Sequence, residues 1–154
     1  MNLAIVVSEF NYNVTSRMLE AAKCQAMKLD ICVKYVCYVP GVFDMPLILD
    51  NLLQKKDIDA IVAIGAVIKG DTNHDNIIAE NTARLIIDLS LKYGIPISLG
   101  ITGPNMTIEQ ALAREKIVPI RAINSAYNMT MRLKQLKNIS NQNSDDNSSN
   151  IIIK

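Results

Sequence analysis

No stretch of this chain is long and apolar enough to cross a bilayer. Its longest apolar run, Ala60 to Ile68, falls far short of the roughly 20 residues that a spanning helix needs. No basic cluster appears either. Lysines and arginines are scattered and the formal net charge is +1, which argues against a nucleic-acid surface. Met1 is followed directly by a strand-like segment, without a basic stretch leading into an apolar one, so no secretory signal is expected and the protein is expected in the cytoplasm. There are three cysteines, Cys24, Cys32 and Cys37. The count is odd and the spacing suits no metal, so buried or free thiols in a reducing compartment are expected. Asn13, Asn105, Asn128, Asn138 and Asn147 each open an Asn-x-Ser/Thr triplet, but an asparagine-rich chain meets that pattern by chance. Histidine occurs once and phenylalanine twice, so the chemistry of those types rests on His74, Phe10 and Phe43.

What remains is enough for one well-filled domain. The chain has 154 residues, 49% hydrophobic and 20% charged, which suits a real core. Leu3 to Val7 reads as a buried strand. Asn11 and Asn13 offer helix caps before a stripe of Val14, Met18, Leu19, Ala22, Ala26 and Leu29. Ile31 to Val39 is β-branched and aromatic, a second strand broken by Pro40-Gly41. Pro46 to Leu53 reads as a helix with proline near its first turn, and Phe43, just before it, as a core side chain. Asp59 to Ile68 is apolar on both faces, as a central parallel strand is. Ile77 to Tyr93 reads as a helix ended by Gly94, and Pro96 to Ile101 as a fourth strand followed by a Gly103-Pro104-Asn105 loop. Thr107 and Gln110 form a capping box for a fourth helix. Pro119 interrupts the chain before a last helix from about Ile120 to Leu136.

Strands alternating with helices predict βαβ units. With right-handed crossovers the simplest arrangement is an α/β, three-layer αβα sandwich: a flavodoxin-like, four-stranded parallel sheet of order 2-1-3-4, helices on both faces. Residues 1–137 are expected to form that single domain. From Asn138 to Asn150 only Ile139 is apolar, so 138–154 is expected as a disordered polar tail.

The segment Gly65 to Asn76, GAVIKGDTNHDN, stands out. An apolar strand ends in a lysine, a glycine, an acid, a hydroxyl and the sole histidine. In a parallel α/β sheet, strand carboxyl ends face a crevice and helix amino ends bind anions. Gly70 allows close backbone approach, Thr72 offers a hydroxyl and His74 offers an imidazole for acid–base work. An ordinary polar turn with a solvated histidine fits the same residues. A metal site of Asp71, His74 and Asp75 would need ligands that the segment lacks. Phe10, just past a strand end, suits stacking on a planar ring or plugging the end of the sheet. Arg114 ends an apolar helical stripe, where a solvated arginine is unremarkable in itself.

Taken together, four segments resemble the lumazine synthases, most closely their archaeal branch. They are SEFN at Ser8 to Asn11, VPGVFDMP at Val39 to Pro46, GAVIKGDTNHDN, and LGITGPNMTIEQALAR at Leu99 to Arg114. They occur in order and span about Leu3 to Leu136. The resemblance implies condensation of 5-amino-6-(D-ribitylamino)uracil with 3,4-dihydroxy-2-butanone 4-phosphate, releasing phosphate and water, the penultimate step of riboflavin biosynthesis. It implies no cofactor and no metal. It places Phe10 and Asn11 at the pyrimidine ring, Val42, Phe43 and Asp44 at the ribityl chain, and Ala66, Val67 and Ile68 at the pyrimidine edge. It places Asp71, Thr72 and Arg114 at the phosphate, His74 at proton transfer, and Leu99 in a site closed by a neighbouring subunit. It implies a homopentamer or a multiple of one, icosahedral shells included. Asp44 stands where many relatives carry glutamate, Lys69 where arginine is common, and Leu99 where bacterial members carry an aromatic. Glu115 to Arg121 lacks the lysine- and glycine-rich pattern of many bacterial members. An archaeal-type riboflavin synthase, a non-catalytic lumazine- or flavin-binding shell protein, and a flavodoxin-like nucleotide binder are the competing readings.

Overall fold

The computed structural model describes residues 1–140 and 152–153. The chain runs β1 (Asn2–Ser8), α1 (Tyr12–Lys28), β2 (Cys32–Val39), a 3-10 turn (Val42–Asp44), α2 (Met45–Leu53), β3 (Ala60–Ile68), α3 (His74–Tyr93), β4 (Ile97–Met106), α4 (Ile108–Arg114) and α5 (Ile117–Ser140). The four strands form one parallel sheet in the order β2-β1-β3-β4. This is the expected order, and helices cover both faces as expected. Among the described residues no helix is long and apolar enough to cross a membrane.

Position in the sheet explains the sequence of each strand. β1 and β3 are central, and β3 is buried along its length up to Ile68. Each has layers on both sides, so each is apolar on both faces. Ile5 stands opposite Val36 on one side and Val62 on the other. One core lies beneath α1 and α5 and is filled by Leu3, Ile5, Val14, Met18, Ile64 and Ile123. The other lies beneath α2 and α3 and is filled by Val6, Met45, Leu49, Ile61 and Ile86. The α1 stripe supplies Val14, Met18, Leu19, Ala22 and Ala26 to the first core, on the i, i+4 spacing that one helix face requires.

Four boundaries differ from the sequence reading by more than one residue. β4 runs on through Gly103-Pro104-Asn105 to Met106, where a loop was expected. A Cβ on Gly103 would collide with the Val67 carbonyl oxygen, so glycine lets the backbone lie against β3. Lys69 N then donates to the Met106 carbonyl at 2.8 Å. α3 begins at His74 instead of Ile77, so the histidine lies in the helix's first turn. α5 begins at Ile117 and holds Pro119 in its first turn, where backbone N–H groups lack intrahelical partners anyway. It also continues to Ser140, past the Asn138 limit expected for the tail. Residues 141–151 and 154, which carry most of that tail expectation, lie outside the described residues. The Thr107 cap forms as read: its hydroxyl accepts from Gln110 N at 3.3 Å, and Gln110 Oε1 accepts from Thr107 N at 3.0 Å. Cys24 and Cys32 are exposed free thiols and Cys37 is half-buried.

Candidate active site

The carboxyl ends of β1, β2 and β3 feed three short loops that face one another. Between them and the start of α3 lies a cavity of about 490 Å³. Phe10 and Asn11 line it from the first loop, Val42, Phe43 and Asp44 from the second, Ala66, Val67 and Ile68 from the end of β3, and Thr72 and His74 from the polar turn. Backbone bonds tie the first loop to the second. Glu9 N donates to the Val39 carbonyl at 2.8 Å and Phe10 N to the Pro40 carbonyl at 2.9 Å. The Phe10 ring is left 72% exposed at the mouth, where a flat ligand can stack on it.

Asn11 does not cap α1 through its side chain. It sits in the left-handed region at φ 59, and its side-chain amide donates to the Ala66 carbonyl at 2.8 Å. Asparagine tolerates that backbone better than most residues. The second loop is a 3-10 turn that hydrophobic periodicity does not announce. Asp44 Oδ2 accepts from Gly41 N at 2.9 Å, and the buried Thr82 hydroxyl of α3 donates to the Val42 carbonyl at 3.4 Å. A Cβ on Gly65 would stand 2.5 Å from Val42 Cγ2, so glycine in β3 makes room for this turn. Phe43, expected in the core, is 67% exposed. The turn aims Val42 inward and leaves its neighbour outside.

Lys69 through His74 are all exposed. His74 N approaches the Thr72 hydroxyl at 3.4 Å, and the first N–H groups of α3 have no intrahelical acceptors, an arrangement suited to an anion. Among the described residues no group of histidine, cysteine, aspartate and glutamate is placed to hold a metal ion. Three of the expected site residues lie elsewhere. Asp71 is exposed on the turn but does not line the cavity. Arg114 is exposed at the end of α4, its guanidinium donating to the Gln110 carbonyl at 2.9 Å. Leu99, 50% exposed on the edge strand β4, lines a separate groove of about 350 Å³ beside Pro96, Ser125, Met129 and Leu133. Among the described residues no lysine or arginine lines the main cavity, whereas two carboxylates, Asp44 and Asp75, do. The sequence marked Asp75 only as one of three residues, with Asp71 and His74, of a weak metal reading. Its buried place at the cavity is a tertiary fact.

These features define the class. An exposed aromatic ring, an apolar strand end, a backbone-rich turn and a histidine at a helix start make this an α/β protein with a small-molecule site at its strand carboxyl ends. Comparison with known proteins gives the family. The family model for 6,7-dimethyl-8-ribityllumazine synthase matches residues 1–135. The protein of that name from Sulfolobus acidocaldarius is 50% identical over 139 residues, covering 90% of this chain and 88% of its own. Those from Metallosphaera sedula and Saccharolobus solfataricus are each 47% identical over 136 residues, covering 88% of this chain and 90% and 88% of their own. The chain belongs to the 6,7-dimethyl-8-ribityllumazine synthase family.

Proposed function

We propose that this protein is a transferase that forms 6,7-dimethyl-8-ribityllumazine from 5-amino-6-(D-ribitylamino)uracil and 3,4-dihydroxy-2-butanone 4-phosphate. An amino group of the uracil attacks the ketone and water leaves as an imine forms. Elimination expels phosphate, and the ribityl-bearing nitrogen closes the ring with loss of a second water. The observation that carries the reading is the convergence of Phe10, Val42 to Asp44, Ala66 to Ile68, Thr72 and His74 on one cavity, in a chain of this family. Phe10 stacks on the pyrimidine, with Asn11 beside it. Val42, Phe43 and Asp44 bind the ribityl chain, and the backbone of Ala66, Val67 and Ile68 meets the pyrimidine edge. His74 moves protons between the reacting nitrogen and carbon centres. Holding two substrates together supplies most of the rate, and proton transfer adds on the order of 10²–10⁴-fold. The chemistry calls for no metal and no organic cofactor.

The phosphate goes to the turn of Asp71 and Thr72. It needs a cation, and among the described residues the cavity of one chain offers two carboxylates and no lysine or arginine. We infer that Arg114 comes from a neighbouring subunit, with Leu99 closing the ring site from the same side. The large apolar residues left exposed on α3, Ile77, Leu85, Ile87 and Leu91, support a homo-oligomer, a pentamer or a multiple of it. The catalytic domain runs through α5, which ends at Ser140. The free cysteines agree with a cytoplasmic setting. The test mixes the purified protein with both substrates and follows lumazine absorbance and inorganic phosphate against the slow spontaneous reaction. The reading predicts acceleration with one phosphate released per lumazine. A background rate from a folded oligomer contradicts it.

A further inference from the structure

Asp75 follows His74 in the first turn of α3. At 6% exposure it is the least exposed carboxylate among the described residues. A buried carboxylate is costly unless something holds it. Its Oδ2 accepts a hydrogen bond from Asn105 N at 2.9 Å, a charge-assisted bond at the positive end of a helix. Asn105 sits in the left-handed region at φ 57, and its side-chain amide donates to Asn76 Oδ1 at 3.0 Å. Two neighbouring residues of α3 therefore grip one residue of β4.

That residue ends the stretch of β4 that lies against the cavity-lining end of β3. Gly103 is pressed against the carbonyl of Val67, and Val67 lines the cavity. The grip thus connects the helix turn bearing His74 to the strand ends on which the pyrimidine rests. The connection through the chain itself is weak. Lys69 to His74 are exposed, a Cβ on Gly70 would meet nothing within 4 Å, and the bond from His74 N to Thr72 is long at 3.4 Å.

We propose that Asp75 is a positioning residue for the condensation: through Asn105 on β4 it fixes the first turn of α3, and with it the His74 imidazole, against the end of β3. The inference rests on the proton-transfer role given to His74 above. An imidazole displaced by about an ångström forfeits much of its contribution, a loss on the order of 10- to 100-fold. Asparagine at position 75 keeps an acceptor for Asn105 N, whereas alanine keeps none.

The test is a double-mutant cycle of His74→Ala and Asp75→Ala, with Asp75→Asn beside it, read as kcat and as KM for both substrates. Melting temperature and assembly size are checked throughout. Asp75→Ala is expected to lower kcat about 10- to 100-fold with each KM little changed, and Asp75→Asn to recover most of the loss. In the His74→Ala background the same change is expected to cost less than about threefold. An equal loss with and without His74 overturns the proposal, because Asp75 then acts independently. A normal rate for Asp75→Ala also overturns it. A normal rate for His74→Ala removes the reading of His74, visible in its own arm, and the proposal with it. Should Asp75→Ala fail to assemble, Asp75→Glu takes its place in the cycle. Its longer side chain is expected to shift the turn and lower kcat below that of Asp75→Asn, and a wild-type rate for Asp75→Glu contradicts the account.

Discussion

Asn11 reaches from the end of β1 to the end of β3, its side-chain amide donating to the Ala66 carbonyl at 2.8 Å. The neighbouring Phe10 is tied by its own N–H to Pro40. The ring at the mouth and the floor beneath it are thereby held at a fixed separation, which a stacked substrate requires. Two substitutions separate the amide bond from the backbone conformation. Asn11→Ala loses the bond and adds the strain of a left-handed φ, about 1 kcal/mol. Asn11→Gly loses the bond alone. Both are predicted to raise the KM for the ribitylaminouracil about 3- to 10-fold, and only alanine to lower the melting temperature clearly. A normal KM for Asn11→Gly would assign the effect to the backbone.

The α4 helix has only seven residues, too few to be stable alone. The reciprocal Thr107–Gln110 bonds hold its start, and Arg114 stands at its end. Thr107→Ala is predicted to cost about 1 kcal/mol in chemical denaturation. It should also raise the KM of the phosphate substrate more than that of the aminouracil, since the guanidinium rides on this helix. Equal KM changes would show that α4 does not carry the phosphate partner.

Acid should weaken the fold through Asp57 and Asp50. The Lys34 ammonium at 2.7 Å and then the Tyr35 hydroxyl hold the Asp57 carboxyl below its usual 3.8. The Tyr93 hydroxyl at 2.8 Å and then Lys92 do the same for Asp50. A carboxyl whose folded pKa lies below its unfolded one stabilises the fold above the unfolded value. That stability is lost as pH falls through the unfolded and then the folded value. The melting temperature is predicted to change little from neutrality to about pH 5 and to drop below about pH 4. The slope should be shallower in Asp50→Asn/Asp57→Asn. An unchanged slope would show that solvent screening removes these contributions.

The proposed sharing of the site between subunits has a direct genetic test. Phe10→Ala and Arg114→Ala are each predicted to be nearly inactive as homo-oligomers. Co-assembled in equal amounts, they should regain about a quarter of wild-type activity, because about a quarter of interfaces then pair an intact Phe10 with an intact Arg114 across subunits. No recovery in a verified mixed oligomer would place both residues in one subunit's site.

Much of the fold was legible because particular segments admit one explanation. Ala60 to Ile68 is apolar on both faces, which only a covered central strand tolerates, and Thr107 with Gln110 could hardly be anything but a helix start. The misreadings have a common cause. Gly103-Pro104-Asn105 reads as a loop, and its continuation of β4 depends on Gly103 lying against Val67 from another strand. Phe43 reads as core because a 3-10 turn lacks the periodicity that would place it outside. Asp75 gains its partner 30 residues away in Asn105, a pairing that no local pattern carries. Within the site, His74, Phe10 and the end of β3 could be located from strand ends and loop chemistry. Arg114 and Leu99 could not, because nothing near them in sequence or in this chain's cavity marks them out.

The most direct test compares catalysed lumazine formation by the wild-type protein with that by the paired variant Phe10→Ala/Arg114→Ala, each confirmed as a folded oligomer, against the spontaneous rate. The account predicts clear acceleration by the wild type and a rate at background for the variant. A wild-type rate equal to the spontaneous one, or a paired variant as fast as the wild type, would contradict it.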